Sequence, residues 1–244
     1  MTAPPTTTDY EKLARQAVLL LNDAKYEEGV ACLDELLKKF PKYIDGWYNR
    51  GIALSQHLSR HEEAIKCFDQ ALRVMVELYG RDDDIDLWHN RGKALYSLGR
   101  YQEAVESFNK VLAHKPNHRI SIEGKAASLN NMGYYKEAIE TAEIIIKLYP
   151  PGNPRTWKAL SIKAMALNNL GKYKQAIAVV NRALEVNPKD DGIWQTKGHS
   201  LASLGKYREA LMCLEEAIRL NPNNAEAKEL KEKIAEMVED FWGE

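Results

Sequence analysis

The stretch Trp88-His89-Asn90-Arg91-Gly92-Lys93-Ala94-Leu95-Tyr96-Ser97-Leu98-Gly99-Arg100-Tyr101 recurs later as Trp194-Gln195-Thr196-Lys197-Gly198-His199-Ser200-Leu201-Ala202-Ser203-Leu204-Gly205-Lys206-Tyr207. Trp, Gly, Leu, Leu-Gly, a basic residue and Tyr fall at the same offsets. Each stretch runs on to an Ala (Ala104, Ala210), then Phe108 or Leu214, then Pro116 or Pro222. Pro116 and Pro150 are 34 residues apart, as are Pro188 and Pro222; Pro150 to Pro188 is 38, an insertion of four. A fixed period of this length marks an array of supersecondary units.

Six copies fit, beginning near Tyr10, Ile44, Ile85, Arg119, Trp157 and Asp191. Their fourth residues are Leu13, Trp47, Trp88, Ile122, Leu160 and Trp194; their eighth are Ala17, Gly51, Gly92, Ala126, Ala164 and Gly198. The eleventh is always Leu: Leu20, Leu54, Leu95, Leu129, Leu167 and Leu201. Positions 4, 8 and 11 share one helical face, and a small residue at position 8 lets two helices approach closely. Gly99, Gly133, Gly171 and Gly205 stand where a first helix must end, and Pro stops the second.

This pattern resembles the tetratricopeptide repeat. The resemblance covers nearly the whole chain and implies an all-α fold, a right-handed α-solenoid of stacked helix-turn-helix pairs. The expected boundaries are a mobile Pro/Thr-rich tail over 1–9, repeats at about 10–43, 44–84, 85–118, 119–156, 157–190 and 191–223, and a C-terminal capping helix and tail over 224–244. Leu230, Ile234, Met237 and Phe241 would form the capping stripe.

Composition narrows the function. Lys+Arg 34 against Asp+Glu 35 gives a net charge of -1, without the basic excess of a nucleic-acid binder or a polybasic membrane-surface protein. Apolar runs such as Ala17–Leu21 are too short for direct membrane insertion. The N-terminus lacks the basic and apolar regions of a secretory signal, and the three cysteines form no CxxC, so the expected location is cytoplasmic. No phosphate loop, dinucleotide fingerprint, HExxH or GxSxG occurs, so neither an enzyme nor a cofactor is expected. His57/His61 and His114/His118 are spaced by four but lack a third ligand, and no metal site is expected from them. Cys32, Cys67 and Cys213 share position 23 of their copies and read as packing residues.

The repeat breaks at two places. The second copy has an extra residue in its turn, His57-Leu58-Ser59-Arg60-His61, lacks the turn glycine, and has a second helix running on through Tyr79 to the acidic Asp82-Asp83-Asp84. Those carboxylates suit the next helix N-terminus, or alternatively a basic partner. Pro150-Pro151-Gly152-Asn153-Pro154 is a longer loop over continued stacking, or alternatively a bend.

In the resembled family, first helices line a concave groove that holds a peptide, through positions 2, 5, 9 and 12–13, with position 6 used by the family's carboxylate clamp. Carried onto this sequence, the groove residues are Tyr48, Asn49, His89, Asn90, Lys93, Tyr96, Asn130, Asn131, Lys158, Asn168, Asn169, Gln195 and His199. The paired asparagines either hold ligand backbone or cap the ends of their helices. The family's clamp for chaperone C-terminal carboxylates is not matched: Ala14 and Val18 stand where Lys and Asn precede Asn49, and Asp86 and Asn90 follow it. Basic residues recur at position 7 (Arg50, Arg91, Lys125, Lys163, Lys197), where aliphatic stems can pack between repeats while the charges reach acidic neighbours. The expected function is a non-catalytic adaptor or scaffold binding a protein or peptide segment. The alternative is a structural, self-assembling solenoid using its ends or the Phe241-Trp242-Gly243-Glu244 tail, hence a possible homo-oligomer.

Overall fold

The computed structural model describes residues 7–242, and side chains between Tyr10 and Val238. Among these residues every regular element is helical. Six first helices, α1 (Thr7–Asn22), α3 (Ile44–Ile52), α5 (Ile85–Ser97), α7 (Arg119–Asn131), α9 (Trp157–Asn169) and α11 (Asp191–Ala202), alternate with six second helices. These are α2 (Tyr26–Lys39), α4 (His61–Tyr79), α6 (Tyr101–His114), α8 (Tyr135–Leu148), α10 (Tyr173–Val186) and α12 (Tyr207–Leu220), and α13 (Ala225–Trp242) follows. The fold is an all-α helical-repeat solenoid. Helices α3, α5, α7, α9 and α11 start at Ile44, Ile85, Arg119, Trp157 and Asp191, the first residues of their sequence copies. Helix α1 starts at Thr7, inside the stretch expected to be a tail; residues 1–6 lie outside the described part.

Each pair closes through the small residue at position 8. A Cβ on Gly51 would stand 2.6 Å from Phe68 Cε1, on Gly92 2.7 Å from Phe108 Cε1, and on Gly198 2.8 Å from Leu214 Cγ. Those distances are below carbon contact, so in these three copies a Cβ would push the second-helix side chain away from the first helix. Trp47, Trp88 and Trp194 each donate the indole N–H to a carbonyl six residues upstream, on Pro41 (2.8 Å), Asp82 (2.5 Å) and Pro188 (2.9 Å). The tryptophan thus ties the inter-repeat loop to the helix it leads into.

Turns share one hydrogen-bond register. The N–H of Lys25, Arg100, Tyr134, Lys172 and Lys206 donates to the carbonyl of the position-11 leucine five residues earlier. The residue before each donor has a positive φ: 75° at Gly99, 82° at Gly133, 71° at Gly171, 73° at Gly205, and 59° at Ala24. The second copy keeps this closure despite its extra residue. Ala53–His57 forms a π-helical turn, Arg60 N–H reaches back six residues to Leu54 O, and Ser59 takes the left-handed position at φ 55°. The insertion is absorbed inside the first helix rather than in the loop. Helix α4 then runs through Tyr79 and ends on Gly80 in the left-handed conformation.

The chain divides into two compact units, Met1–Gly124 and Lys125–Glu244, with the boundary inside α7. The first unit is built on Phe68, Phe108, Leu54, Leu87 and Leu95, all essentially inaccessible. The second has one cluster around Leu160, Val180 and Ile193 and another around Leu201, Leu214 and Ile234. Within it, α8 and α9 pack together across the Pro150–Pro154 loop, so stacking continues there. Helix α13 covers α12 through Ala227, Leu230, Ile234 and Val238. Met237, expected in that stripe, is 46% exposed, because the buried face follows the step of four from Ile234 to Val238. Phe241 and the tail after it lie outside the described side chains.

Three of the position-7 cations act as staples to the preceding second helix. Arg50 Nε donates to Asp34 (2.6 Å), Arg91 Nε to Asp69 (2.6 Å), and Lys163 Nζ to Glu143 (2.8 Å). Arg50 also donates to Cys67 Sγ at 2.9 Å and Arg91 to Ser107 Oγ at 2.7 Å. The acidic run is likewise engaged within its own unit. Asp82 pairs with Lys110 and Asp83 with Arg81, while Asp84 caps α5 by accepting from Leu87 N–H at 2.8 Å.

Candidate functional site

First helices carry the groove residues on two neighbouring faces that differ in exposure. Successive residues on a helix are about 100° apart, so the first of each asparagine pair turns inward and the second outward. Asn130 and Asn168 are buried; Asn131 and Asn169 are exposed. Asn168 Nδ2 donates to His199 Nδ1 at 2.9 Å, and its Oδ1 lies 2.9 Å from the Ser200 hydroxyl. Asn169 Nδ2 reaches Asn130 Oδ1 at 3.5 Å. The inner asparagines therefore tie one first helix to the next.

In the first unit, His89 and Asn90 are also buried. Asn90 donates to the Asp86 carbonyl (2.9 Å) and to Tyr48 Oη (3.4 Å), and accepts from Gln56 (3.3 Å). His89 Nδ1 lies 2.8 Å from Ser121 Oγ, which is also 2.8 Å from His118 Nδ1. Burial, reinforced by His118 and Lys93, pushes the His89 pKa down to about 4. Burial also raises the Tyr48 hydroxyl, with Asp86 and Asp84 adding to it. Tyr48 and Tyr96 are half-buried, Lys93 and Lys158 are exposed, and the Lys158 ammonium sits 5.4 Å from the Trp157 ring centre.

Clefts open on these faces. In the first unit a cleft of about 250 Å3 lies between α1 and α3, floored by Val18, Leu21, Ile52 and Ala53. Asn22 and Asn49 stand beside it, and its wall is Tyr26 stacked on His57, with ring centres 3.8 Å apart and planes 6° apart. The π-helical turn supplies His57.

The second unit holds a larger cleft, about 360 Å3, between α9, α11 and α13. Asn168, Asn169, Gln195 and His199 line it, four of the groove residues carried over from the resemblance. Met165 and Thr196 lie beside them, and α13 contributes Glu226, Glu229, Leu230 and Lys233. Lys233 pairs with Glu229 at 2.6 Å, which holds the Glu229 carboxyl below and the Lys233 ammonium above their ordinary ranges. Gln195 Nε2 donates to Glu226 at 2.6 Å. A sequence reading of α13 as a cap leaves out Glu226, Glu229 and Lys233; the spacing of 226, 229, 230 and 233 puts these side chains and Leu230 on one helix face.

The tetratricopeptide repeat family matches residues 43–117, and the family described as anaphase-promoting complex, cyclosome, subunit 3 matches residues 131–217. Superkiller protein 3 of Saccharomyces cerevisiae is 30% identical over 101 residues, which are 41% of this chain and 7% of that protein. The peroxisomal targeting signal receptor of Candida albicans is 30% identical over 139 residues, 56% of this chain and 21% of the receptor. The chain thus spans a small part of these relatives. Among solved structures, a tetratricopeptide repeat protein from Parabacteroides merdae superposes with a TM-score of 0.78 at 18% identity, covering 92% of this chain and 85% of the other. YrrB, described as having an unusual peptide-binding site, gives 0.58 at 19% identity over 82% of this chain and 97% of its own.

Proposed function

The chain is a tetratricopeptide-repeat protein, and from that premise we propose that it is a non-catalytic adaptor holding a peptide or protein segment against its first-helix faces. Proteins of this family and fold are in general interaction modules rather than catalysts. The observation that carries the reading is the α9–α11–α13 cleft. It combines an exposed methionine, the exposed amide of Asn169, the half-buried amide of Gln195 and a pair of carboxylates on helices, the mixture of apolar surface and few polar groups that suits peptide capture. Among the relatives, one is named a targeting signal receptor and one is described by its peptide-binding site, which fits the same class of activity.

The test is selection of short random peptides displayed on phage against immobilised protein, followed by affinity measurement on a variant. The variant combines Asn169→Ala with His199→Ala. Both residues are exposed, so the variant keeps its fold by circular dichroism. Peptides that bind the parent and lose about tenfold in affinity on the variant support the reading, a change of about 1.4 kcal/mol. Undiminished binding would reject the site. A mass that rises with concentration, with no peptide captured, would favour self-assembly instead.

A further inference from the structure

Among the described residues, the cleft between α9, α11 and α13 carries one negative charge that no cation pairs with. Its charged residues are Glu226, Glu229 and Lys233. Lys233 is committed to Glu229 one helical turn away. Among the described residues, Glu226 pairs with no cation; its partner is the neutral amide of Gln195.

That carboxylate is also held in place by a chain of side-chain amides. Asn224 accepts from Ala227 N–H at 2.9 Å and so caps α13. Its Nδ2 donates to Asp191 Oδ2 at 2.8 Å and to Gln195 Oε1 at 2.9 Å. Asn221 donates to the same Asp191 oxygen at 2.9 Å. With its oxygen occupied by Asn224, Gln195 has only its NH2 to offer Glu226. The amide orientation and the carboxylate position are therefore set before any ligand arrives, which lowers the ordering cost of binding.

We infer that this cleft takes a peptide through one lysine or arginine side chain, whose charge is met by Glu226; the inference rests on the adaptor reading above. Met165, 40% exposed, and Leu230 offer apolar surface for the alkyl stem of such a side chain. His199 Nδ1 is engaged by Asn168 at 2.9 Å, which leaves Nε2 as the ring atom that can meet the ligand backbone. An anionic segment is disfavoured, since the one cation of the cleft is already paired.

The experiment selects displayed random peptides on three baits: the parent, Glu226→Gln and Lys233→Gln. All the altered side chains are exposed, and circular dichroism checks each fold. A selected peptide is then labelled and titrated beside a twin in which its lysine is norleucine or its arginine citrulline. The expected result is a basic residue fixed at one position in peptides from the parent. Affinity should fall about tenfold on Glu226→Gln and about tenfold for the neutral twin, with the two losses not additive. Lys233→Gln should bind several-fold more tightly, because it frees Glu229; a purely structural role would not tighten binding. Peptides without a fixed basic residue, or equal affinity for parent and Glu226→Gln, overturn the charge assignment and leave the adaptor standing. No enrichment on any bait overturns both.

Discussion

Ser121 Oγ stands between two imidazoles, 2.8 Å from Nδ1 of His89 and 2.8 Å from Nδ1 of His118. One hydroxyl has one proton, so it donates to one ring and accepts from the other only if that ring carries its proton on Nδ1. Two neutral imidazoles satisfy this; two imidazoliums here would repel in a buried site also faced by Lys93 and Lys115, with Asp86 and Arg119 at its edge. The folded pKa of His89, about 4, lies below the value of about 6.5 for an unfolded histidine. The unfolded chain therefore binds this proton more readily. The stability that neutral His89 contributes is complete above about pH 6.5 and is lost as pH falls toward 4, amounting to on the order of 3 kcal/mol. Urea unfolding measured between those limits should show a falling midpoint, flattened in His89→Leu; an unchanged slope in that variant would place the effect elsewhere. Backbone strain gives a second residue-scale prediction. Ala24 (φ 59°) and Ser59 (φ 55°) occupy the left-handed position that glycine fills in four other turns. A side chain costs about 1–2 kcal/mol there, partly offset by the larger unfolded entropy of glycine. Ala24→Gly and Ser59→Gly should each stabilise the protein by about 0.5–1 kcal/mol, read as a rise in denaturant midpoint; a lower midpoint would mean that the side chain is held by contacts worth more than the strain.

At the scale of elements, helices are joined by staples whose value depends on burial. Arg91 and Arg219 both make 2.6 Å ion pairs, but the Arg91 side chain is 16% exposed and the Arg219 side chain 67%. Arg91 also spans two second helices, reaching Asp69 on α4 and Ser107 on α6, with its guanidinium 5.5 Å from the Trp88 ring centre. Arg219 and Glu216 lie on one helix and compete with water and salt. A double-mutant cycle with Arg91→Ala and Asp69→Ala should give a coupling of about 1 kcal/mol, and one with Arg219→Ala and Glu216→Ala no measurable coupling. Equal couplings would show that the staple adds nothing beyond an ordinary surface pair. The basic residues at position 7 were legible as a ladder in the sequence, because their period equals the repeat. The π-helical turn was not. An extra residue between Leu54 and His61 announces an insertion, but the sequence does not say whether helix or loop absorbs it. The Leu54 carbonyl decides, since keeping its bond to Arg60 N–H requires the widened turn.

For the whole molecule, α3, α5, α7, α9 and α11 begin at the first residue of a sequence copy even where the spacing departs from 34, since the position-11 leucine and a small residue at position 8 answer packing needs that recur in every first helix. The binding face was less legible, because a repeat pattern constrains the residues that pack and leaves the exposed ones free. Asn168 and Asn169 look equivalent on the page, yet one ties α9 to α11 and only the other faces outward. Glu226 and Lys233 lie outside the period altogether, on a helix whose apolar spacing speaks only of capping. That helix covers α12 and carries residues of the proposed cleft, and its removal tests both. Repeat arrays draw much of their stability from interfaces between neighbours, and an uncovered last repeat exposes its apolar face. Without residues 225–244, Leu214 and Ala217 on α12, both fully buried, and Leu201 on α11, 4% exposed, lose the cover of Ala227 and Ile234. The truncated chain should lose more helical circular dichroism than the share belonging to α13, bind a hydrophobic dye, and tend to associate. It should also lose the cleft and with it any peptide selected on the parent. A monomeric truncation with only the proportionate loss of helix would mean that the last two helices hold themselves together. Retained peptide binding in that variant would remove α13 from the site.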